Sequence, residues 1–590
     1  MTTGLCCEAE EGGFDLCLPE PGRILLPGGA PRRCFLASDC FELDGIRGVL
    51  PECRHLLIEG DGCSADVPAG KLTVLRRGNR LLVGVAAHFR PELIDADIDA
   101  LLAERKRYFE TLPDFGVTDP LRLRTLAKAY SQLKGQVNSA CGGIPCRWTT
   151  PDRWPHRRMW LWDSVFHAVG LRHFDPETAR ESLRAVLSQQ LPDGLIPHMM
   201  SPHGHSEVTQ PPVLAFGIAA VDETAPDRVF LAEAFPKLER YLDWIFRIRD
   251  SDGAGLVEWA IEGDPHCRSG ESGMDNSPRF DSAAELDAPD FNSYLSLECE
   301  TMAAFARKLE LPERAAFWQE RHERLNGLMN RLLWSEGEGI YMDRDVRGGG
   351  LTGVAASAGF LPLICGAPSE EQAAQLLANL RDPERFGTPF RIPSISRRNA
   401  EAYAKDMWRG PVWININYLI GLGLERYGFK DEAEKLFADT VREEERMYAR
   451  YGTFFEFYDD RRECDPPELL RKGKCAPGES PYHQVFFDYG WSATLYIEMV
   501  RRLAGPVTRS KPLQPGVKKC GRLRAADVNG RRRFMGEPFT SVSVVFRFTA
   551  CCNAPPALIG MFRLYPLRSR CRRCLDGPRQ IVSALCCLVA

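Results

Sequence analysis

Two acidic residues lie in surroundings that suit paired acid–base chemistry. Asp275 lies in the Gly-, Ser- and Pro-rich segment 270–281, which the pattern predicts to be a loop, and Glu456 lies between Phe455 and Phe457. Apolar surroundings favour a protonated carboxyl group, whereas hydrogen-bond donors and cations favour an ionised one. Hydrolysis of a glycosidic bond needs one carboxyl group of each kind. Taken alone, Asp275 is typical of a turn and Glu456 of an exposed strand residue.

The chemistry around the two acids extends to a set of aromatic and polar motifs in a fixed order along the chain. Sugars present hydroxyl edges and apolar C–H faces, so tryptophan rings and polar side chains together suit a sugar pocket. A single tryptophan is more often a core residue, and a single histidine after a proline is more often structural. We expect Asn276 and Arg279 to orient or ionise the neighbours of Asp275. The motifs contribute seven further candidates: Trp162, Asp163, His198, Gln210, Trp408, Arg409 and Trp413.

In this order the motifs of residues 115–505 resemble the catalytic domain of glycoside hydrolase family 63, and more closely its mannosylglycerate hydrolase-like branch. The resemblance implies an (α/α)6 barrel that hydrolyses α-glycosidic bonds with inversion. It implies that Asp275 is the general acid and Glu456 the general base. Five residues match motif positions of the family's sugar subsite, with Trp162 and Arg409 beside them: Asp163, His198, Gln210, Trp408 and Trp413. The charged loop 460–481 departs from the family pattern and bears on the substrate.

Helical periodicity independently predicts the elements that must position these residues. Between residues 118 and 505, about twelve stretches carry apolar residues at three- and four-residue spacing, which suits six helical hairpins. Pro176 and Pro312 are placed to begin helices, and Ser369 with Gln372 forms a capping-box pattern. We therefore predict an all-α toroid with its active site at one mouth, where the loops that hold Asp275 and Glu456 converge.

Outside this region the pattern predicts three further parts. Residues 1–34 are predicted to be irregular, and residues 35–112 to form a small β-rich domain followed by a linker helix. The barrel is expected over 113–505. Residues from 509 onward hold 16 basic and 3 acidic residues. Such an asymmetry can indicate binding to nucleic acid or membranes, but the pattern matches no such module. The segment 506–590 is therefore predicted to be a poorly ordered tail, with no nucleic-acid partner.

Composition excludes several classes of protein. The chain has 590 residues, of which 44% are hydrophobic and 26% charged, as in large globular proteins. No window approaches 18 uninterrupted apolar residues and the first residues lack a signal-peptide pattern, which predicts a cytoplasmic protein without a membrane partner. The 21 cysteines are concentrated near both ends. Because Cys571 and Cys574 lack a second pair, we expect no metal site. We also expect no cofactor.

The sequence therefore predicts an inverting α-glycosidase with a carbohydrate substrate. The substrate is expected to be a small α-glucoside or α-mannoside, such as mannosylglycerate or glucosylglycerate, or an α-gluco-oligosaccharide. Alternatives on the same barrel are a trehalase or a glucoamylase-like hydrolase. From other classes, a polysaccharide lyase, a sugar epimerase or a catalytically inactive carbohydrate-binding protein remain open. The sequence leaves the oligomeric state open.

Overall fold

Thirteen α-helices form most of the part of the chain that the structure describes. The computed structural model describes residues 5–10, 13–17, 23–26, 34–43, 45–67, 70–152, 155–473, 483–505 and 543–546. All of them belong to one unit, Met1–Ala550. The helices are α1 (Ile98–Glu110), α2 (Pro120–Lys134), α3 (Leu161–Leu171), α4 (Pro176–Ser188), α5 (Leu214–Thr224), α6 (Arg228–Ile248), α7 (Pro289–Lys308), α8 (Pro312–Leu332), α9 (Pro362–Cys365), α10 (Glu370–Arg381), α11 (Ile414–Arg426), α12 (Lys430–Tyr451) and α13 (Gly490–Leu503).

The helices alternate in burial along the chain. Every residue of α3 is buried, and α7, α11 and α13 are buried over most of their surface. Helices α4 and α12 instead bury one apolar face and leave a polar face exposed. A helix that is apolar on all sides must be covered on all sides, whereas an amphipathic helix lies on the outside of the core. The alternation therefore predicts an inner set of odd-numbered helices and an outer set of even-numbered ones.

Helix contacts agree with this division. Helix α3 packs against α5, α5 against α7, α7 against α9, α9 against α11, α11 against α13, and α13 against α3. The contacts thus run in a closed cycle through six odd-numbered helices. Helix α4 covers α3 and α5, α8 covers α7, and α12 covers α11 and α13. The structure has twelve α-helices between residues 118 and 505 among those it describes, in agreement with the periodicity.

The predicted helix starts are confirmed. Pro176 and Pro312 are the first residues of α4 and α8, where a missing N–H group leaves no helical hydrogen bond unmade. Ser369 and Gln372 form a reciprocal capping box at the start of α10. These local signals are set by residues three or fewer apart, so they are readable without tertiary structure.

Two antiparallel sheets are formed by strands that precede the helices in the chain and by one strand that follows the last helix. The six-stranded sheet has the order β4-β5-β6-β7-β10-β9, and the other has the order β20-β1-β2-β3-β8. Leu56 and Ile58 of β7 face a small separate core, whereas Leu57 between them faces the main core. The strands are β1 (Leu5–Glu10), β2 (Gly13–Cys17), β3 (Arg23–Leu26), β4 (Cys34–Leu36), β5 (Cys40–Leu43), β6 (Ile46–Glu52), β7 (His55–Glu59), β8 (Ser64–Asp66), β9 (Leu72–Arg77), β10 (Arg80–Val85) and β20 (Ser543–Phe546).

Nine further strands of two or three residues lie in the loops between helices. Three of them, β13, β14 and β15, form a small sheet beside the start of α3. They are β11 (Val137–Asn138), β12 (Trp148–Thr149), β13 (Met159–Trp160), β14 (Met199–Ser201), β15 (Gly204–His205), β16 (Leu286–Asp287), β17 (Trp334–Ser335), β18 (Ile340–Tyr341) and β19 (Arg344–Asp345).

The first 34 residues correct the prediction of an irregular segment. They contain β1, β2 and β3, and Ile24 and Leu26 of β3 are buried in the small core. β1 pairs with β2 and β2 with β3, while β20 and β8 pair with the two outer strands. Each of β1 to β3 has only four to six residues, and β1 and β3 lack a clear alternation of apolar and polar residues, so periodicity does not indicate them. The prediction for the tail 506–590, and for Cys571 and Cys574, lies outside the described residues, except that Ser543–Phe546 forms β20.

No helix in the described part of the chain combines the length and apolar character needed to cross a membrane. The boundaries predicted between a β-rich domain and the helical region remain a prediction, because the main core includes residues from both. Val49 and Leu82 of the six-stranded sheet belong to the same cluster of buried residues as Leu126 and Tyr130 of α2.

Candidate active site

The candidate residues lie in the loops that lead into the odd-numbered helices. Trp162 and Asp163 lie in the first turn of α3, Gln210 precedes α5, and Asp275 lies in the loop before α7. Trp408 and Trp413 precede α11, and Glu456 lies in the loop before α13. Direct contacts join these loops: Gln210 bonds to Trp162, Asn276 to Trp408, and Asp275 to Lys472. The sequence pattern predicts this convergence.

The Asp275 loop packs against the start of α3. Gly273 has a φ of +70°, and a side chain at this position would collide with the Trp162 ring. Only glycine adopts this conformation without strain and also permits such a close approach. The loop is therefore held two residues before Asp275. The Asp275 carboxylate is 18% exposed and forms an ion pair with Lys472, whose Nζ lies 2.6 Å from Oδ2.

Glu456 is buried and pairs with Arg471, the residue before Lys472. Its backbone N–H donates to the carbonyl of Phe486, and its Oε2 accepts from Arg471 Nε at 2.9 Å. The Arg471 guanidinium also lies 4.1 Å from the centre of the Phe486 ring. Burial is the main influence on the pKa of Glu456 and raises it, although Arg471 acts in the opposite direction. The two candidate catalytic carboxylates therefore contact consecutive residues of one basic dipeptide.

Backbone hydrogen bonds fix this dipeptide in place. The N–H groups of Lys472 and Gly473 each donate to the Asp406 carboxylate at 2.8 Å. The same carboxylate accepts from the side-chain amide of Asn276, whose oxygen accepts from the backbone N–H of Trp408. Asn276 directly follows Asp275 in the chain. One carboxylate, Asp406, thus couples the loop of the candidate acid to the loop of the two cations.

Arg279 contacts a direct neighbour of Asp275, because its guanidinium donates to the sulfur of Met274 at 3.4 Å. Its guanidinium is buried between Asp290 of α7 and Asp343, with both carboxylates at 2.6–2.8 Å. Burial of the charges opposes this arrangement, and the two carboxylates compensate. Arg279 therefore anchors the end of the Asp275 loop to α7. Asn276, which follows Asp275 directly, bonds to Asp406 and Trp408, and the roles expected of Asn276 and Arg279 remain predictions.

Four tryptophans, all only 1–2% exposed in this structure, form a continuous set of ring contacts, the aromatic surface, beside the two carboxylate loops. Trp408 and Trp413 stack with ring centres 3.9 Å apart, Trp491 lies edge-on to Trp413 at 5.7 Å, and Trp162 lies edge-on to Trp491 at 5.1 Å. Among the described side chains, the indole N–H groups of Trp408 and Trp491 are buried without a hydrogen-bond partner. Buried donors normally have partners. Unpaired donors on an aromatic surface suit the hydroxyl groups of a bound sugar.

Asp163 offers an acceptor in the same region. It is almost fully buried, and its Oδ1 also lacks a partner among the described residues. Burial raises the pKa of Asp163 well above its usual range, the nearby carboxylates Asp152 and Glu456 raise it further, and Tyr489 acts in the opposite direction. Asp163 therefore lies close to Glu456. An unpaired carboxylate oxygen in this position suits a sugar hydroxyl that donates to it.

Three candidates have contacts that limit what they can bind. Gln210 accepts the backbone N–H of Trp162 through its side-chain oxygen and so positions the start of α3. Arg409 forms a bidentate ion pair with Asp281 and donates to the carbonyl of Asn276, which supports the Asp275 loop. His198 forms a hydrogen bond with Ser206 through Nδ1. Burial lowers the pKa of His198 to about 4, opposed by the charge of Asp275, so the ring is neutral near pH 7.

The electrostatics of the carboxylates are opposite to what their expected roles require. Burial tends to raise the pKa of Asp275, but Lys472, with Arg471 and His198, outweighs it and lowers the pKa. The candidate acid is therefore held ionised, whereas the pKa of the candidate base Glu456 is raised. Lys472 is the main cause of the lowered pKa of Asp275. In the sequence, Lys472 is distinguished only as part of a charged loop.

Sequence patterns did not indicate several residues that the structure brings to the site. They are the two basic residues Arg471 and Lys472, the carboxylate that binds their backbone, and the phenol beside Asp163. The last two are Asp406 and Tyr489. Asp406 and Tyr489 belong to the same motifs as predicted site residues, so their position beside those residues in the sequence could have indicated them. Arg471 and Lys472 lie in a segment whose composition is typical of an exposed loop, and only the fold brings them to the carboxylates.

One group of carboxylates has the geometry of a cation site. Ligand atoms of Asp250, Asp252 and Glu258 lie within 4.8 Å of one another. Acidic groups often cluster in this way without an ion, and Arg344 already pairs with Asp252. The group lies outside the set of candidate catalytic residues. We assign no metal to it, and the expectation of a metal-independent site remains a prediction.

Comparisons with known proteins add to this geometry. Residues 155–464 match the family model of the mannosylglycerate hydrolase MGH1-like glycoside hydrolase domain. Mannosylglycerate hydrolase MGH1 of Selaginella moellendorffii is 28% identical over 56% of this chain and 82% of its own. A glucosylglycerate hydrolase of Mycolicibacterium hassiacum is 26% identical over 52% and 87%. The crystal structure of the GH63 mannosylglycerate hydrolase from Thermus thermophilus with Tris and D-glycerate is similar with a TM-score of 0.52, 26% identity, and coverage of 64% and 99%.

Proposed function

The chain belongs to the mannosylglycerate hydrolase MGH1-like glycoside hydrolases of family 63, and on that premise we propose that it is an inverting α-glycosidase acting on a small glycoside of glycerate. The observation that carries the proposal is the meeting of Asp275 and Glu456 at the consecutive residues Arg471 and Lys472. Two carboxylates on one dipeptide, beside an aromatic surface with unpaired polar atoms, suit attack on a glycosidic bond.

Asp275 is the proposed general acid and Glu456 the proposed general base. Asp275 donates a proton to the glycosidic oxygen, and Glu456 takes a proton from the water that attacks the anomeric carbon from the opposite face. Inversion requires the two carboxyl groups to be roughly 6.5–9.5 Å apart, so that the water fits between them. The roles follow the family resemblance. Trp408, Trp413, Trp491, Asp163 and His198 are proposed to hold the sugar, and Trp162, Gln210 and Arg409 to position the loops.

The proposed architecture is an (α/α)6 barrel. The closed cycle of contacts through the odd-numbered helices supports it, together with the amphipathic helices that cover them. The loops before the odd-numbered helices then line one mouth of the barrel. Because Asp275 and Glu456 both lie in such loops, the architecture accounts for their meeting despite their separation in the chain.

The proposed substrates are α-mannosylglycerate and α-glucosylglycerate. The relatives include both a mannosylglycerate and a glucosylglycerate hydrolase, and two basic residues beside the carboxylates suit an anionic aglycone. Trehalose and α-gluco-oligosaccharides carry no charge for these residues to recognise. The alternatives of a trehalase or glucoamylase-like hydrolase therefore have less support.

A panel of purified glycosides, followed by NMR from the first turnover, tests this proposal. We expect hydrolysis of an α-glycosylglycerate with the β-anomer of the free sugar as first product. Release of the α-anomer would contradict inversion. Trehalose as the preferred substrate would contradict the substrate class, and an unsaturated product from a uronic acid substrate would contradict hydrolysis itself.

The roles of the two carboxylates are tested by Asp275→Asn and Glu456→Gln. Loss of the general acid should reduce hydrolysis by 10²–10⁴-fold, roughly, for a poor leaving group and much less for a glycosyl fluoride, which needs no proton. Loss of the general base should reduce hydrolysis of both. If Glu456→Gln instead spares the fluoride relative to the poor leaving group, the assigned roles are reversed.

A further inference from the structure

The ion pair between Lys472 and Asp275 conflicts with the role of Asp275 as a proton donor. A general acid must carry its proton before the leaving oxygen departs. In the structure its carboxylate lies 2.6 Å from a lysine ammonium group, which stabilises the ionised form. The remaining charged or titratable groups that face Asp275 are Arg471, His198, Glu262 and Cys267. Among the described residues, Lys472 is the group that forms an ion pair with it.

Lys472 and Arg471 differ in how firmly their charged ends are held. The Arg471 side chain is 8% exposed, and its guanidinium lies against the Phe486 ring while it pairs with Glu456. The Lys472 side chain is 22% exposed, and its charged end pairs with a carboxylate that is also partly exposed. A lysine ammonium group on a flexible stem changes partners at little cost, whereas a stacked guanidinium does not. Movement is therefore expected at Lys472 and not at Arg471.

The backbone below Lys472 is fixed while its side chain is not. Asp406 accepts the N–H groups of residues 472 and 473, and the backbone groups of Leu470 pair with Lys405 and Met407. The ammonium group can therefore swing only about a fixed base. Any carboxylate that it reaches instead of Asp275 must lie next to Asp275, which is where the aglycone of a bound glycoside begins.

We propose that Lys472 is a specificity-determining residue that holds Asp275 ionised in the empty site and transfers its ion pair to the carboxylate of an anionic aglycone when substrate binds. Asp275 then takes up one proton from solvent and passes it to the glycosidic oxygen as the aglycone leaves as an alcohol. Lys472 stays protonated throughout. The inference rests on the proposed function, because it assigns Asp275 the role of general acid.

The device links substrate charge to catalytic competence. A glycoside with a neutral aglycone offers Lys472 no better partner, so Asp275 remains ionised and cannot donate. A glycoside of a small hydroxy acid removes the cation from Asp275, and burial then favours the protonated carboxyl group. Selectivity for an anionic aglycone thus arises in the chemical step as well as in binding.

The first experiment compares an α-glycosylglycerate with its amide, which has the same shape without the charge. We expect the unmodified enzyme to prefer the acid by about tenfold or more in kcat/KM, as a lost charged hydrogen bond implies. Lys472→Gln should reduce this preference to about threefold or less. Lys106→Gln is the matched control, because Lys106 also forms a partly exposed ion pair, with Glu42, remote from the site. It should leave the preference unchanged.

The second experiment follows the proton. Removal of the Lys472 charge raises the pKa of Asp275, so the alkaline limb of the kcat/KM profile should move to higher pH in Lys472→Gln for both substrates. A purely structural role for Lys472 would lower the profile without moving the limb. Calorimetry of D-glycerate binding to the unmodified enzyme, in two buffers of different ionisation enthalpy, should show proton uptake, and glycerol should show none.

The outcomes separate this inference from the proposed function. If neither the acid nor the amide is hydrolysed, the proposed function is wrong. If both are hydrolysed with equal kcat/KM and D-glycerate binds without proton uptake, the enzyme is a glycosidase but Lys472 is not its switch. The comparison of acid with amide and the calorimetry use the unmodified enzyme, so they decide the question even if Lys472→Gln does not fold.

Discussion

Asp163 shows how an unpaired buried charge can identify a binding residue. A carboxylate removed from water without a full set of partners costs free energy of folding, so a protein that retains one has another use for it. Asp163 lies beside Glu456 and keeps a free oxygen among the described residues. Glu444 of α12 is also fully buried, with both oxygens unpaired in the described part of the chain. Asp163 lies at the proposed site and Glu444 does not.

Asp163→Asn should lower activity and raise stability. The variant loses a charged acceptor for a sugar hydroxyl, so kcat/KM should fall by about tenfold or more. Because the pKa of Asp163 is raised in the folded protein, its ionisation destabilises the fold as pH rises. The gain in thermal midpoint should therefore be larger at pH 8 than at pH 5, as measured by calorimetry.

Glu444→Gln is the matched control for that variant. Its pKa is raised by burial and by the neighbouring carboxylates Glu445 and Glu443, so neutralising it should also stabilise the protein at high pH. Its activity should stay within about twofold of the unmodified enzyme, as expected away from a binding site. Equal losses of activity in both variants would mean that Asp163 has no specific role at the site.

At the residue scale, the sequence predicted which carboxylates belong to the site better than it predicted which residues they contact. Asp275 and Glu456 could be selected because their immediate neighbours are unusual, and both meet at one dipeptide in the fold. Lys472 could not be selected, because its partner lies almost two hundred residues earlier and no local pattern records that contact. The lowered pKa of Asp275 follows from this long-range pair, whereas burial raises the pKa of Glu456. The assigned roles remain a prediction.

The loops before the odd-numbered helices act as the elements that carry the site, and buried ion pairs anchor them. Arg279 connects the Asp275 loop to α7 through Asp290 and to the segment after β18 through Asp343. All three charges are buried. A buried group of this kind adds little net free energy of unfolding. Removal of one partner is nevertheless strongly destabilising, because it leaves the other charges buried and unpaired. The anchor therefore keeps the loop in one position.

Arg279→Met should destabilise the protein by about 3–5 kcal/mol near pH 7, since it leaves two carboxylates buried without their cation. The pKa of Asp343 is already raised by burial, and loss of Arg279 raises it further. When folding raises the pKa of an acid, the free energy of unfolding of the protein falls as pH increases. The destabilisation should therefore be smaller at pH 5 than at pH 8. Urea unfolding at both values measures it.

Arg347→Met provides the comparison for that change. Arg347 is 82% exposed and lies 4.0 Å from Glu285, so its loss should cost less than about 0.5 kcal/mol at either pH. A restoring substitution adds a further check: Asp343→Asn in the Arg279→Met background should recover part of the lost stability. No recovery would mean that the loop is anchored by packing rather than by charge.

At the element scale, helix starts and the number of helices were predictable because their signals are local. Ser369 with Gln372 confirms this, as do Pro176 and Pro312. Strands β1 to β3 were missed because they are only four to six residues long, and two of them lack the alternation of apolar and polar residues that indicates a strand. The departure of the loop 460–481 from the family pattern is visible in the sequence, but its residues 471 and 472 acquire a role only through contact with Asp275 and Glu456.

The whole molecule is organised by the cycle of odd-numbered helices, and the last of them closes it. Helix α13 packs against α2, α3, α11 and α12, and it joins the end of the cycle to its beginning. Tyr489, which precedes α13, and Trp491 in its first turn lie at the proposed site. Residues after α13 contribute β20, which lies at the edge of its sheet and pairs with β1 alone among the described strands. Folding of the helical assembly should therefore depend on α13 and little on the residues C-terminal to it.

Truncation tests this dependence directly. A variant that ends at Gly505 loses β20, an edge strand that pairs with β1. Its kcat/KM should stay within about twofold, and its thermal midpoint within a few degrees, of the unmodified enzyme, because an edge strand stabilises little by itself. A variant that ends at Ser492 removes most of α13 and breaks the cycle, so it should lose both the cooperative unfolding transition and all activity. Loss of folding in the variant ending at Gly505 would instead show that the segment after α13 stabilises the helical assembly, and the basic tail would then be part of the fold.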